Sequence, residues 1–315
     1  MRVLVLGATG YLGGHTAEHL RARPGVRVLG ASRLPASSPA AGPAAVPSAD
    51  LAVDLATVPV PELAALLAEL RPDAVVNCAG AVGGDALRLT GVNARGPAAL
   101  CAALREAAPG ARLVHLGSAA EYGPGEPGRP LAEDHPTRPV GLYGAAKLAG
   151  TLAVTGSGLD AVVLRVFNPV GPGAPPASLP GRLAAELRRT APDGVVRVGD
   201  LSAHRDFVDA RDVARAATAA ALAPERLPHV LNIAGGRARP VRDVAEGLAR
   251  AAGFRGRIDE GGETPARSAA VAWQQADVTA AARALGWRPR HTLEESLADL
   301  WREREPGGPR GEAAR

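Results

Sequence analysis

The chain predicts an α/β fold: a doubly wound parallel sheet with helices on both faces, followed by a smaller C-terminal lobe. Three observations carry this. Short, wholly apolar runs alternate with helix-period runs through the first half. A glycine-rich turn joins the first apolar run to the first helical one. Turn clusters then break up the second half. Strands that are apolar on both faces belong in parallel sheets covered on both sides. Their alternation with helices builds the doubly wound architecture.

Taken in order, Val3–Leu6 reads as a strand and Tyr11–Arg23 as a helix, with Leu12, His15, Thr16, His19 and Leu20 on one face. Val26–Ala31 is a second strand. Pro61–Glu69 is a helix, Asp73–Asn77 a strand, Asn93–Ala107 a helix and Arg112–Leu116 a strand. Tyr143–Val154 is a helix and Ala161–Val166 a strand. Leu34 to Pro47 and Gly123 to Pro139 are rich in turn formers and read as surface loops. Residues 1–168 thus form the sheet domain, to which some later segments return. Residues 169–303 form mainly the second, helix-dominated lobe, and the charged Gly/Pro-rich stretch 304–315 reads as a disordered tail.

Composition narrows the function. The 315 residues are 46% apolar and 22% charged, enough for a sizeable core. The net charge of +4 is mild and the arginines are scattered, which argues against nucleic acid and suits an anionic small molecule. Cys78 and Cys101 have neither metal-type nor disulfide-framework spacing and read as small buried residues, so no metal is expected. The first apolar run is too short for a signal peptide or a membrane span. A cytoplasmic protein without membrane contact is expected.

Gly7-Ala8-Thr9-Gly10-Tyr11-Leu12-Gly13 sits between the first strand and the first helix. Glycines here permit a tight turn, close approach of backbone to a pyrophosphate and close helix–strand packing, while the helix N-terminus offers N–H groups to phosphate. Tyr143 and Lys147 stand at i and i+4, on one helix face. A neighbouring ammonium favours the phenolate, and the lysine can also hold a ribose. The strand before them ends in Gly117-Ser118-Ala119-Ala120-Glu121-Tyr122-Gly123. This puts the Ser118 hydroxyl at the carboxyl end of a parallel strand, where ligands bind. Asn77-Cys78-Ala79-Gly80 ends another strand with small residues that let a cofactor lie close, and Asn93 opens the next helix.

In order and spacing these features resemble the extended short-chain dehydrogenase/reductase family, of NAD-dependent epimerase/dehydratase type, whose fold is Rossmann-type. Further likenesses are Leu164-Arg165-Val166-Phe167-Asn168-Pro169-Val170-Gly171-Pro172, Arg205-Asp206-Phe207-Val208-Asp209-Ala210-Arg211-Asp212-Val213, Leu231–Gly236 and Leu285–Pro289. The resemblance implies catalytic roles for Ser118, Tyr143 and Lys147. It implies cofactor contacts from Gly7, Thr9, Gly10, Tyr11, Leu12, Gly13, Ser32, Arg33, Asp54, Leu55, Ala79, Gly80, Asn93, Tyr143, Lys147 and Val170. Asn168, Arg205 and Arg267 are expected on the substrate's diphosphate, with Ser118 on the sugar. The second strand ends in Ser32-Arg33 where an acid would bind the ribose of NAD. A guanidinium and a hydroxyl there favour NADP(H).

Among the family's reactions, dehydration is disfavoured, because Ala119-Ala120 stand where dehydratases carry an Asp-Glu pair. The segments around Arg165–Gly173 and Val196–Phe207 look most like the GDP-4-keto-6-deoxymannose reductase group, although Ala81 to Thr90 is shorter than that group's sugar-contacting loop. The expected activity is NADPH-dependent reduction of the 4-keto group of a nucleotide-linked 4-keto-6-deoxyhexose. The alternatives are an NDP-sugar epimerase and a nucleotide-sensing protein without catalysis. The helices Asn93–Ala107 and Tyr143–Val154 resemble a four-helix dimer interface, implying a homodimer.

Overall fold

The computed structural model describes residues 1–33, 50–262 and 271–303; the tail 304–315, the whole Leu34–Pro47 stretch and Arg267 lie outside them. The chain runs β1 (Arg2–Leu6), α1 (Tyr11–Arg21), β2 (Arg27–Ser32), β3 (Leu51–Ala52), α2 (Val60–Leu70), β4 (Ala74–Asn77), α3 (Ala86–Thr90), a π-helical turn (Gly91–Arg95), α4 (Gly96–Ala107), β5 (Arg112–Ser118), a one-turn 3₁₀ helix (Ala119–Glu121), α5 (Leu142–Thr155) and β6 (Ala161–Val166). It continues through β7 (Asn168–Val170), α6 (Leu179–Arg189), β8 (Val195–Arg197), β9 (His204–Asp209), α7 (Ala210–Leu222), β10 (Val230–Ile233), β11 (Ala238–Pro240), α8 (Arg242–Ala251), β12 (Arg257–Asp259), α9 (Thr279–Leu285) and α10 (Leu293–Arg302).

The main sheet has the order β10-β6-β5-β4-β1-β2-β3, and its neighbouring strands pair in parallel. Successive strand residues point to opposite faces, and both faces are covered. Val3, Val5, Val76, Val114 and Leu164 pack with α1, α7 and Trp287 on one side, and Leu4, Leu6, Val75, Leu113 and Val163 pack with α2, α4 and α5 on the other. This explains the unbroken Val/Leu runs. The order reverses between β1 and β4, and such a switch point opens a crevice at the carboxyl ends of the strands.

A third core of Val170, Leu183, Val196, Val244 and Leu297 holds the second lobe together. That lobe is less purely helical than its turn clusters suggest. It contains a three-stranded sheet, β11-β9-β7, and a two-stranded one, β12-β8. The carboxylates of the Arg205–Val213 segment knit the lobes. Asp206 accepts the N–H groups of Gly235, Gly236 and Ala276, Asp209 caps α7, and Asp212 accepts those of Arg290 and His291.

Three sequence expectations need correction. Asn93 does not open a helix but lies inside the π-helical turn, because the chain is already helical from Ala86. The segment Ala81 to Thr90, read as a short loop, contains α3, capped by the Asp85 side chain on the Arg88 N–H. The strand read as ending at Leu116 runs on to Ser118.

Candidate active site

The glycine turn leaves β1 through Gly7 at φ +76°, a left-handed conformation that favours glycine. A Cβ there would lie 2.7 Å from the Ala79 amide nitrogen, and one on Gly13 would lie 2.0 Å from the Gly7 carbonyl oxygen. Helix α1 is therefore seated directly on the turn. Gly10, its N-cap, has no side chain to cap the first-turn N–H groups, so the positive end of the helix is left for an anion.

A cleft of about 220 Å³ opens here, lined by Leu6, Gly7, Thr9, Gly10, Ser32, Arg33, Asp54, Leu55, Ala79, Gly80 and Arg88 among others. It adjoins a wider pocket of about 790 Å³ that shares Arg33, Asp54 and Arg88. The bare glycine cradle, the uncapped helix end and the two arginines fit a phosphorylated dinucleotide. Leu55 packs into the sheet core and still lines the cleft, and Asp54 beside it holds the Ala56 N–H. Arg88 was missed in the sequence, because nothing in its local pattern tells that α3 brings it over the cleft.

The other expected cofactor residues divide. Tyr11 donates to the Gly171 carbonyl at 3.4 Å and thereby ties α1 to the second lobe. Leu12 and Val170 pack their side chains into cores. Asn93, fully buried, clamps residue 81 from both sides: its Oδ1 accepts the Ala81 N–H at 3.0 Å and its Nδ2 donates to the Ala81 carbonyl at 2.8 Å. It thus shapes the small-residue turn after β4, where a Cβ on Gly80 would lie 3.5 Å from both Asn93 Oδ1 and Lys147 Nζ.

Ser118, Tyr143 and Lys147 are brought together at the carboxyl end of β5. Tyr143 Oη donates to Ser118 Oγ at 3.4 Å, and Lys147 Nζ donates to the Leu116 carbonyl at 2.6 Å. Two glycines missed in the sequence permit this. A Cβ on Gly144 would lie 2.4 Å from the Ala120 carbonyl oxygen, and one on Gly150 would lie 2.2 Å from that of Asn93. They seat α5 against the turn after β5 and against the π-helical turn. Their signal was available, since glycine inside a helical pattern marks close packing.

Lys147 is 6% exposed, and burial lowers its pKa from the usual lysine range while the Glu121 carboxylate opposes that. Its neighbours His115 and Cys78 stay neutral at physiological pH: burial holds the imidazole well below its ordinary value and pushes the thiol up to about 12. A buried ammonium beside a tyrosine is the arrangement that favours a phenolate.

Of the expected substrate residues, Asn168 donates from Nδ2 to the Asp206 carbonyl at 2.9 Å. Arg205 is buried and donates to the carbonyls of His204 and Val271. Both lie on the small sheet of the second lobe, on β7 and β9.

A glycine-turn cleft at the switch point of a parallel sheet, with Ser118, Tyr143 and Lys147 gathered at the end of β5, defines a nicotinamide-dependent short-chain dehydrogenase/reductase enzyme of the extended type. Residues 3–234 match the model of the NAD dependent epimerase/dehydratase family, and the chain belongs to that family. It is 38% identical over 308 residues to a dTDP-6-deoxy-L-talose 4-dehydrogenase (NAD(P)(+)) of Kitasatospora kifunensis, covering 95% of this chain and 94% of that one. A UDP-glucose 4-epimerase of Mycolicibacterium smegmatis is 28% identical, covering 95% and 96%. A solved structure of MoeE5 in complex with UDP-glucuronic acid and NAD superposes with a TM-score of 0.80 at 28% identity, covering 96% of this chain and 98% of that one.

Proposed function

We propose that the chain reduces the 4-keto group of a nucleotide-linked 4-keto-6-deoxyhexose with NADPH. The observation that carries this reading is the Tyr143–Ser118 pair together with buried Lys147, whose Nζ lies against the Gly80 turn that lines a cleft with Ser32, Arg33 and Arg88. When bound, a reduced nicotinamide would supply hydride to the carbonyl carbon. Tyr143 gives its phenolic proton to the carbonyl oxygen, so the C=O bond becomes CH–OH. Ser118 Oγ donates to the same oxygen and holds it in place. The Lys147 ammonium stabilises the phenolate that Tyr143 leaves behind. Arg33 and Arg88 suit the 2′-phosphate that separates NADPH from NADH. Asn168, Arg205 and Arg267 anchor the diphosphate, so that binding remote from the sugar orients it for reaction.

The 4-dehydrogenase of Kitasatospora kifunensis supports a redox step at C4 of a deoxyhexose nucleotide. A second reading, an NDP-sugar epimerase, is favoured by the Mycolicibacterium smegmatis relative. In that reaction hydride leaves and returns within one turnover, so the cofactor is not consumed. The experiment that separates the two follows NADPH absorbance and the product sugar together. Net oxidation of NADPH supports the reductase, and interconversion of two epimers at constant absorbance supports the epimerase.

The working unit in this reading is a homodimer joined through α4 and α5, where Leu142 and Leu152 stand exposed. Its place is the cytoplasm, which suits two free cysteines.

A further inference from the structure

Glu121 lies under the reacting pair and has no part in the chemistry proposed above. It closes the one-turn helix that follows β5 and is fully buried. Its Oε1 accepts the Ser118 N–H at 2.7 Å, and its Oε2 accepts Arg165 Nε at 2.8 Å. The carboxylate reaches Ser118 by passing over Gly117, where a Cβ would lie 2.7 Å from Oε1. Arg165 comes from the neighbouring strand β6, opposite Gly117 in register, and its guanidinium stacks on the Tyr122 ring at 4.4 Å. Tyr122 in turn donates to Asn232 Oδ1 at 2.8 Å. Ser118 is thus held at both ends: Glu121 fixes its amide, and its own Oγ accepts the Ala120 N–H at 3.2 Å.

Stability does not explain this pair. A buried carboxylate and guanidinium lose so much hydration that apolar replacements of similar volume are often no worse. Its position offers a better reason. With one lone pair of Ser118 Oγ taken by the Ala120 N–H, the hydroxyl hydrogen is left for a substrate oxygen. Among the described residues Glu121 is the carboxylate that bears on Lys147, whose Nζ sits on the Leu116 carbonyl two residues before Ser118; His115 on β5 and Cys78 after β4 stay neutral, Tyr143 stands one turn earlier on α5, and the turn at Gly80 offers the Asn93 amide oxygen.

We propose that Glu121 is a positioning residue: it locks Ser118 beside Tyr143 and sets a fixed negative charge within reach of Lys147. The inference rests on Ser118, Tyr143 and Lys147 being the reacting groups.

The test is Glu121→Gln, which keeps the volume and removes the charge and one acceptor. Turnover should fall by about tenfold to hundredfold, less than the ~10²–10³-fold typical for loss of a direct donor. KM and the NADPH dissociation constant should stay within about threefold. The alkaline limb of the pH–rate profile should move to lower pH, because Lys147 loses the carboxylate that favours its charged form. Glu121→Asp keeps the charge and shortens the reach, so it should lower turnover and leave the limb near its wild-type place. Wild-type turnover with an unmoved limb in Glu121→Gln overturns the proposal. If that variant does not fold, Glu121→Asp decides: reduced turnover with intact NADPH binding supports the role, and wild-type turnover overturns it. Loss of cooperative melting in both variants assigns Glu121 to the fold alone and overturns it too. Ser118→Ala and Tyr143→Phe serve as controls. Full activity in those two means that the reading of the site fails, whereas their inactivity beside a wild-type Glu121→Gln means that only the present inference fails.

Discussion

In the proposed reaction Arg33 and Lys147 are the single side chains that would decide cofactor choice and pH dependence. Arg33 follows Ser32 at the end of β2 and lines the cleft with Arg88. A charge-assisted contact to the 2′-phosphate is worth roughly 1.5–3 kcal/mol. Arg33→Ala should therefore raise the NADPH dissociation constant by about tenfold to a hundredfold and leave NADH nearly unchanged. Fluorescence titration with both cofactors measures this, and equal losses for both would assign Arg33 to the fold. For Lys147 the effect is on pH. Burial lowers its pKa below the 10.5 of an ordinary lysine, so it sheds its charge earlier and Tyr143 loses that support. The alkaline limb of the pH–rate profile should begin below pH 10.5. The sign for stability is opposite. Between the lowered value and 10.5 the unfolded chain binds a proton that the folded chain has released, so stability rises with pH through that window. A rate profile flat to pH 10.5 would contradict the burial argument.

At the scale of elements, the site depends on how closely two helices approach the sheet. Gly144 and Gly150 let α5 dock, and Asn93 holds the turn after β4 from within the π-helical turn. Asn93→Ala would leave the buried N–H and C=O of Ala81 unpaired, at about 1–3 kcal/mol each. A loss of roughly 2–6 kcal/mol follows, read as a lower urea midpoint with an unchanged slope; a midpoint equal to wild type would show that the clamp carries no weight. These contacts also mark what the sequence made legible. The strands and most helices were plain, because parallel strands buried on both faces need apolar runs, and Ala161–Val166 was placed to the residue. The Ser118, Tyr143 and Lys147 set was legible because strand ends and helix periodicity fix it locally. The π-helical turn was not, since no local pattern marks it, although α5 packs closely on it at Gly150. Glu121 and Arg88 were passed over for the same reason: their roles exist only once β6 and α3 are in place. The second lobe was read as helical because most of its strands, such as β8 and β11, have three residues and are too short to show alternation.

In the whole molecule the large sheet carries the crevice proposed for the cofactor and β7 and β9 form a second, smaller sheet, with Asp206, Asp209 and Asp212 joining the parts. The outer surface of α5 carries Leu152, 61% exposed. An apolar helix face of this kind is suited to a partner helix. Light scattering at micromolar concentration should give the mass of two chains, and a monomeric mass would remove the proposed α4–α5 interface. The central claim is that the crevice performs net reduction with Tyr143 as proton donor. Its most direct measurement incubates the protein with NADPH and a panel of nucleotide-linked 4-keto-6-deoxyhexoses, and follows absorbance and product stereochemistry together for the native chain and for Tyr143→Phe. The account predicts stoichiometric NADPH oxidation to a single 4-hydroxy epimer. In Tyr143→Phe turnover should be about 10²–10⁴-fold slower, with NADPH binding intact. Interconversion of epimers without net oxidation, or full activity in Tyr143→Phe, would contradict it.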